Sequence, residues 1–143
     1  MMGSKEGIMH LSMTFLNPGD EVLIPNPGYP TYTSVTNLLG AKPIYYSIDL
    51  TRDGRPNLEE LENQDLSKVK LMWINYPHMP TGAPGSRAIL QELVAFSKKH
   101  DIVLLHDNPY SHILTKEPIS ILSIQGAKEV AMELNSLSKA FNM

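Results

Sequence analysis

Lys139 ends the run Ser136-Leu137-Ser138-Lys139, which follows an apolar stretch of the chain. A lysine held at the end of a buried strand loses its proton cheaply, because burial penalises the ammonium form. The neutral amine can then form an imine with an aldehyde cofactor. The two serines beside it offer hydroxyl groups to a phosphate. Alone, this run is also what an ordinary strand end looks like.

Two upstream segments also place polar side chains directly after apolar runs. One is His106-Asp107-Asn108-Pro109-Tyr110, and the other is Asn-Tyr-Pro-His-Met-Pro-Thr-Gly at residues 75–82. Three polar clusters at strand exits are typical of a ligand site in an open parallel sheet. Simpler interpretations stay open, because Asp107 can cap a turn and Tyr110 can be a tyrosine at the edge of the core.

The elements that position these clusters are predicted from five apolar runs, at residues 22–25, 43–48, 69–75, 102–106 and 130–136. Their hydrophobic residues are continuous, which is typical of strands covered on both faces. Helical patterns lie between most of them, at residues 4–16, 29–39, 58–62 and 86–99. This alternation predicts an α/β fold with right-handed βαβ units. Residues 115–127 are predicted to form an irregular surface connection.

The composition is that of an ordinary folded domain of 143 residues, with 42% hydrophobic and 19% charged residues. A formal net charge of -3 gives no reason to expect nucleic acid or an anionic membrane as a partner. The absence of cysteine excludes disulfides and thiolate metal sites, and fits the reducing cytoplasm. No apolar run reaches membrane-spanning length, and the first residues lack the apolar core of a signal peptide.

Pyridoxal phosphate is an aldehyde cofactor whose needs these segments can meet. Lys139 can supply the amine, and Asp107 can keep the pyridine nitrogen protonated so that the ring accepts electrons. Tyr110 can donate to the phenolic oxygen. Tyr29, in the segment Pro-Asn-Pro-Gly-Tyr-Pro, can cover the ring, or can simply belong to a proline-rich turn.

The phosphate of such a cofactor needs a cradle of hydrogen-bond donors. Gly3-Ser4-Lys5 begins a predicted helix, where free backbone N–H groups and the helix dipole favour an anion. Every helix start shares this property to some degree. Ser136 and Ser138 can add hydroxyl contacts.

Five motifs, in this order, resemble the large domain of the class I and II aminotransferases, which belong to the fold type I group of pyridoxal-phosphate-dependent enzymes. They are Gly-Ser-Lys-Glu-Gly, Pro-Asn-Pro-Gly-Tyr-Pro, Asn-Tyr-Pro-His-x-Pro-Thr-Gly, Asp-Asn-Pro-Tyr and Ser-Leu-Ser-Lys-Ala-Phe-Asn-Met. The resemblance runs from Gly3 to Met143. It implies that residues 1–143 are a partial cofactor-binding large domain, a three-layer α/β sandwich with a mainly parallel sheet. The implied strand order is 2-1-3-4-5, with the last strand an open edge.

The resemblance also implies a role for each candidate residue. Lys139 is the amine that binds pyridoxal phosphate and shuttles the α-proton of the substrate. Asp107 faces the pyridine nitrogen, Tyr110 faces the phenolic oxygen, and Tyr29 stacks on the ring. The phosphate ligands are Ser4, Lys5 and Ser136, with Ser138 as an additional candidate. Cis peptide bonds are implied at Asn26-Pro27 and Met79-Pro80.

Two features depart from the family pattern. Met79 stands where the family has an asparagine that donates to the phenolic oxygen, and methionine has no N–H to give. Family members are also more than twice as long. The arginine that follows the lysine and the small domain with its carboxylate-binding arginine are missing from the sequence. The sequence therefore looks like a fragment, which we expect to be inactive alone.

Three functions follow as alternatives. The first is part of an aminotransferase whose parent, a cytoplasmic homodimer, moves an amino group from an amino acid to a 2-oxo acid, as aspartate and alanine enzymes do. The second keeps the cofactor but makes the parent a C–S lyase or a decarboxylase, because one fold hosts all these reactions. The third is a non-catalytic, truncated or degenerate domain, which Met79 and the short chain favour.

Overall fold

The computed structural model describes residues 3–113 and 117–143. Residues 115 and 116, the start of the predicted irregular connection, and Met1 and Met2 lie outside these ranges. The strands are β1 (Glu21–Asn26), β2 (Lys42–Asp49), β3 (Arg55–Pro56), β4 (Val69–Asn75), β5 (Val103–Asp107) and β6 (Ala131–Leu134). They form one sheet in the order β3-β2-β1-β4-β5-β6. Only the pairing of β2 with β3 is antiparallel among the described strands.

The five predicted strands are present as β1, β2, β4, β5 and β6, and their order is the predicted 2-1-3-4-5. The strand β3 is additional, since the sequence predicted only five strands. It consists of two residues, which pair with Ile48 and Asp49. A strand of this length is too short to show a hydrophobic period. The last strand ends at Leu134 rather than at residue 136, and it forms the open edge of the described sheet.

The helices are α1 (Ser4–Phe15), α2 (Pro30–Leu38), α3 (Leu58–Glu62), α4 (Arg87–His100) and α5 (Leu137–Ala140). Side-chain caps begin three of them: Asn57 accepts from the Glu60 N–H before α3, Ser86 from the Ile89 N–H before α4, and Ser136 from the Ser138 N–H before α5. The first four match the predicted helices to within two residues. The four-residue α5 was not predicted. Within the connection predicted to be irregular, two 3₁₀ turns form at Ile121–Ser123 and Ala127–Glu129.

Helices cover both faces of the sheet, so the three-layer prediction is confirmed. Along β4, Leu71 and Trp73 belong to the core cluster that contains residues of α1 and α2, whereas Met72 and Ile74 belong to the cluster built with α3 and α4. The prediction of strands covered on both faces is wrong for β2. Most of its side chains are exposed or partly exposed, as Tyr45 is, because β2 lies near the sheet edge beside the short β3.

Three peptide bonds among the described residues are cis: Asn26-Pro27 and Met79-Pro80, which the family resemblance implied, and Tyr76-Pro77, which it did not. In the part of the chain that the structure describes, the helices are too short or too polar to cross a membrane.

Candidate functional site

A cavity of about 250 Å³ lies at the carboxyl ends of β4 and β5, beside the start of α1. All nine residues that the sequence singled out line it: Ser4, Lys5, Tyr29, Met79, Asp107, Tyr110, Ser136, Ser138 and Lys139. Gly3, Asn75 and Pro109 complete its wall. Residues up to 136 positions apart along the chain, Gly3 and Lys139, therefore converge on one site.

The sheet topology explains this position. From β1 the chain continues outward to β2, whereas β4 lies on the other side of β1 and leads outward to β5 and β6. The connections therefore diverge at the carboxyl ends of β1 and β4 and leave a crevice between them. Tyr29 follows β1 and Asn75 ends β4, so both residues lie at this crevice.

The Asp107 carboxylate is buried, with 4% of the residue exposed, at the end of β5. Its Oδ2 accepts a hydrogen bond from the Tyr32 hydroxyl over 2.9 Å. Its Oδ1 is buried and has no hydrogen-bond partner among the described residues. Burial raises the pKa of Asp107, although the hydroxyl groups of Tyr32 and Ser4 act in the opposite direction. A cationic N–H placed in the cavity would satisfy Oδ1 and favour the charged carboxylate.

Asn75 joins the ends of two strands and the loop after β4. Its side-chain N–H donates to the Asp107 carbonyl oxygen over 2.6 Å, and its Oδ1 accepts from the Met79 N–H, also over 2.6 Å. The sequence did not assign Asn75 a role, although a buried asparagine at a strand end was a signal for one. These bonds fix where Met79 enters the cavity.

Met79 presents a thioether where the family pattern has an amide. The Tyr110 hydroxyl donates to its sulfur over 3.4 Å. The cavity therefore retains the Tyr110 hydroxyl as a hydrogen-bond donor. At position 79 it lacks the second donor, a side-chain N–H, that the family pattern provides.

The start of α1 forms a cradle for an anion. Gly3 precedes the helix with φ 115°, and no side chain in the described ranges caps it. A Cβ built on Gly3 would lie 3.5 Å from the Ser136 hydroxyl and 3.8 Å from the Ser138 hydroxyl. Free N–H groups of a twelve-residue helix and two hydroxyls therefore face the same small space, which suits a phosphate.

Lys5 and Tyr29 contact each other at the rim of the cavity. The Lys5 ammonium lies 5.9 Å from the centre of the Tyr29 ring, within range of a cation–π interaction. The sequence predicted separate positions for them, one at the phosphate and one at the ring. The observed contact places both side chains together at the cavity wall.

Lys139 lines the cavity from the short helix α5 rather than from a strand end. The chain leaves the sheet after Leu134, and the Ser136 hydroxyl accepts from the Ser138 N–H over 3.3 Å to start the turn. The Lys139 side chain is exposed, so the expectation of a lysine at the end of a buried strand is wrong. A larger hollow of about 500 Å³ beside β2 and β3 contains none of the nine predicted residues.

Comparisons with known proteins agree with this arrangement. The sequence profile of the family described as "Aminotransferase class I and II" matches residues 1–143. LL-diaminopimelate aminotransferases from Dehalococcoides mccartyi and Halothermothrix orenii are 44% and 43% identical over 145 residues, which cover 100% of this chain and 37% of each relative. Substrate-bound BacF from Bacillus subtilis superposes with a TM-score of 0.94 at 40% identity, over 99% of this chain and 36% of that chain. The chain thus spans about 37% of the length of these curated relatives.

Proposed function

This chain belongs to the class I and II aminotransferases, which depend on pyridoxal phosphate, and we propose that it is the cofactor-binding part of an enzyme that moves an amino group from an amino acid to a 2-oxo acid. The observation that carries the proposal is the buried Oδ1 of Asp107, which has no hydrogen-bond partner among the described residues, in a residue that lines the cavity together with Lys139. The relatives are named as aminotransferases, which supports amino transfer over the lyase and decarboxylase alternatives.

When bound, pyridoxal phosphate supplies an aldehyde that captures amines and a pyridinium ring that accepts electrons. Asp107 would accept the hydrogen bond of the ring N–H through Oδ1, in surroundings where burial strengthens the charge pair. The start of α1, with Ser136 and Ser138, would hold the phosphate. The donor set of the cavity therefore fits this cofactor at both of its charged ends.

Three further residues would act on the ring and on the substrate. Tyr29 would cover the ring and keep water from that side. The Tyr110 hydroxyl, now bonded to a sulfur, is available for the phenolic oxygen. The Lys139 amine would take the proton from the substrate α-carbon and return it, as a general base and acid does.

Among the described residues, no arginine lines the cavity to bind the carboxylate of the substrate, and its two lysines, Lys5 and Lys139, are assigned to the cofactor. The three arginines of the chain, Arg52, Arg55 and Arg87, do not line it. We therefore propose that other parts of a longer parent, or its partner in a homodimer, hold that carboxylate. The 143-residue chain alone should bind the cofactor without selective turnover, because substrate positioning supplies much of the rate.

Borohydride trapping tests the cofactor site directly. The chain is mixed with pyridoxal phosphate, reduced, digested and analysed by mass spectrometry. The label should be on Lys139 and should disappear in Lys139→Ala. Lys98→Ala is the matched control, because Lys98 is a lysine of α4 that pairs with Glu129. A label spread over surface lysines, or one unchanged in Lys139→Ala, would refute the proposal.

A coupled assay tests the substrate half. LL-diaminopimelate, after which the relatives are named, is the first amino donor to test with 2-oxoglutarate, with aspartate and alanine for comparison. Turnover of about one per second or more by the 143-residue chain would contradict the inference that the carboxylate site is supplied elsewhere.

A further inference from the structure

Tyr32 does not line the cavity, yet its hydroxyl holds the carboxylate that does. It lies in the first turn of α2 and is 1% exposed. Its hydroxyl donates to Asp107 Oδ2 over 2.9 Å and joins residues 75 positions apart. Since both partners are buried, water does not compete for this hydrogen bond.

The position of that hydroxyl is fixed by aromatic neighbours. The Tyr32 ring stacks on Trp73 with centroids 5.0 Å apart and planes within 7°. Its other neighbour is Tyr29, which meets it edge-on at 5.6 Å. Both arrangements are favourable for aromatic pairs, so the ring is packed rather than free to turn.

This packing has a consequence for the two oxygens of Asp107. The terminal torsion of an aspartate is broad, so an unrestrained carboxylate samples many orientations. With Oδ2 held by Tyr32, Oδ1 becomes the oxygen without a partner among the described residues. A hydrogen bond to a carboxylate also favours its charged form, which is the form that pairs with a protonated ring nitrogen.

We propose that Tyr32 is a positioning residue for the ring nitrogen of the cofactor, because it fixes the rotation of Asp107 and so presents Oδ1 to the ring N–H. The proposal rests on the proposed function and adds a residue that the cavity wall does not include. Tyr32 acts only through Asp107, so its contribution must vanish for a ligand that has no ring nitrogen.

Two ligands and three forms of the full 143-residue chain test this. The ligands are pyridoxal phosphate and its 1-deaza analogue, in which a C–H replaces the ring nitrogen. Tyr32→Phe should weaken binding of pyridoxal phosphate about tenfold, the scale of a hydrogen bond to a charged group, and leave the affinity for the analogue unchanged. Tyr46→Phe is the matched control and should change neither, because this buried tyrosine donates to the Trp73 carbonyl oxygen instead.

The outcomes separate the two proposals. If the unmodified chain prefers pyridoxal phosphate over the analogue and Tyr32→Phe keeps that preference, the role of Tyr32 is refuted and the proposed function stands. Equal weakening of both ligands by Tyr32→Phe refutes the role as well. An unmodified chain that does not bind pyridoxal phosphate refutes the proposed function, and the role with it.

A measurement on the unmodified chain covers the case in which Tyr32→Phe does not fold. With tyrosine labelled by ¹³C at Cζ, the Tyr32 resonance should shift on addition of pyridoxal phosphate and stay in place with the 1-deaza analogue. The same shift with both ligands, or no shift with either, overturns the proposal.

Discussion

The Tyr110 hydroxyl donates its hydrogen bond to the Met79 sulfur, 3.4 Å away. A thioether is a weak acceptor and offers no hydrogen to a neighbouring oxygen. The backbone of Met79 is nevertheless held, because its N–H donates to Asn75. Position 79 is therefore fixed in space while its side chain lacks the donor that an amide would provide.

Met79→Asn should tighten the binding of pyridoxal phosphate about tenfold, because the new N–H can donate to the phenolic oxygen. The same donor stabilises the deprotonated form of the bound cofactor. The pKa of the bound cofactor, read from its visible absorption, should therefore fall. An absorbance titration at several pH values measures both quantities. Met79→Leu removes the sulfur without adding a donor and should not tighten binding. Equal affinities of the Asn and Leu variants would contradict the prediction.

Gly3→Ala should fill the phosphate cradle, because the new methyl group would lie beside the Ser136 hydroxyl. The affinity for pyridoxal phosphate should fall at least about tenfold, the loss expected when a charged hydrogen bond is disturbed. Pyridoxal, which has no phosphate, should bind as before. Gly19→Ala is the matched control, since Gly19 also has a positive φ, 93°, but has no neighbour within 4 Å of its built Cβ. If both variants weaken both ligands alike, the cradle is not at Gly3.

Glu133, on β6, binds several groups at once. Its Oε2 accepts from the Ser120 hydroxyl over 2.8 Å and from the Ile121 N–H over 2.9 Å, and it lies 3.4 Å from His106 Nδ1. Burial alone would raise the pKa of Glu133, but the nearby His106 ring and hydrogen bonds from Ser120 and Asn135 outweigh it and hold the pKa at about 2. The charged carboxylate therefore ties the connection after β5 to the sheet edge.

The lowered pKa predicts how stability depends on pH. In the unfolded chain Glu133 takes up a proton near its ordinary pKa of 4.5, whereas in the folded chain it does so only near 2. Its contribution is therefore complete above about pH 5 and is lost as the pH falls through this window. Glu133→Gln should lower the free energy of unfolding by about 2 kcal/mol at pH 7, and the deficit should shrink by about half near pH 3.

Denaturant unfolding at the two pH values measures this difference. Glu129→Gln is the control, because Glu129 is 71% exposed and its ion pair with Lys98 should contribute less than about 1 kcal/mol. A deficit for Glu133→Gln that is the same at pH 7 and pH 3 would show that the charge is not what stabilises the fold.

The sequence could predict those features that depend on residues close together along the chain. The long strands and their order could be predicted from the sequence because continuous apolar runs and βαβ alternation are local patterns. The short β3 and α5 could not be predicted, since segments of two and four residues are too short to show a hydrophobic period. The rule that ligands bind at the carboxyl ends of parallel strands brought Asp107 and Lys139 to one site. The contact of Tyr32 with Asp107 and the exposure of Lys139 depend on packing between distant segments, which no local pattern contains.

Gly28 is predicted to be more sensitive to alanine than a glycine with a positive φ. Its φ lies outside the left-handed range, so backbone preference alone gives no reason to keep glycine there. A built Cβ, however, would overlap the carbonyl oxygen of Pro25, which is backbone and cannot move aside cheaply. Gly28→Ala must therefore shift the turn that carries Tyr29.

The expected cost of Gly28→Ala is about 2–3 kcal/mol of unfolding free energy, as for other overpacked sites. Gly19→Ala has room for the methyl group and only the strain of a positive φ, about 1–2 kcal/mol. Denaturant unfolding ranks the two variants. Cofactor binding adds a second readout: Gly28→Ala should also weaken pyridoxal phosphate, because Tyr29 leaves its place beside Lys5, whereas Gly19→Ala should not. A larger loss of stability in Gly19→Ala would mean that the backbone strain at a positive φ costs more than the contact of a Cβ at position 28 with Pro25, and would contradict the prediction.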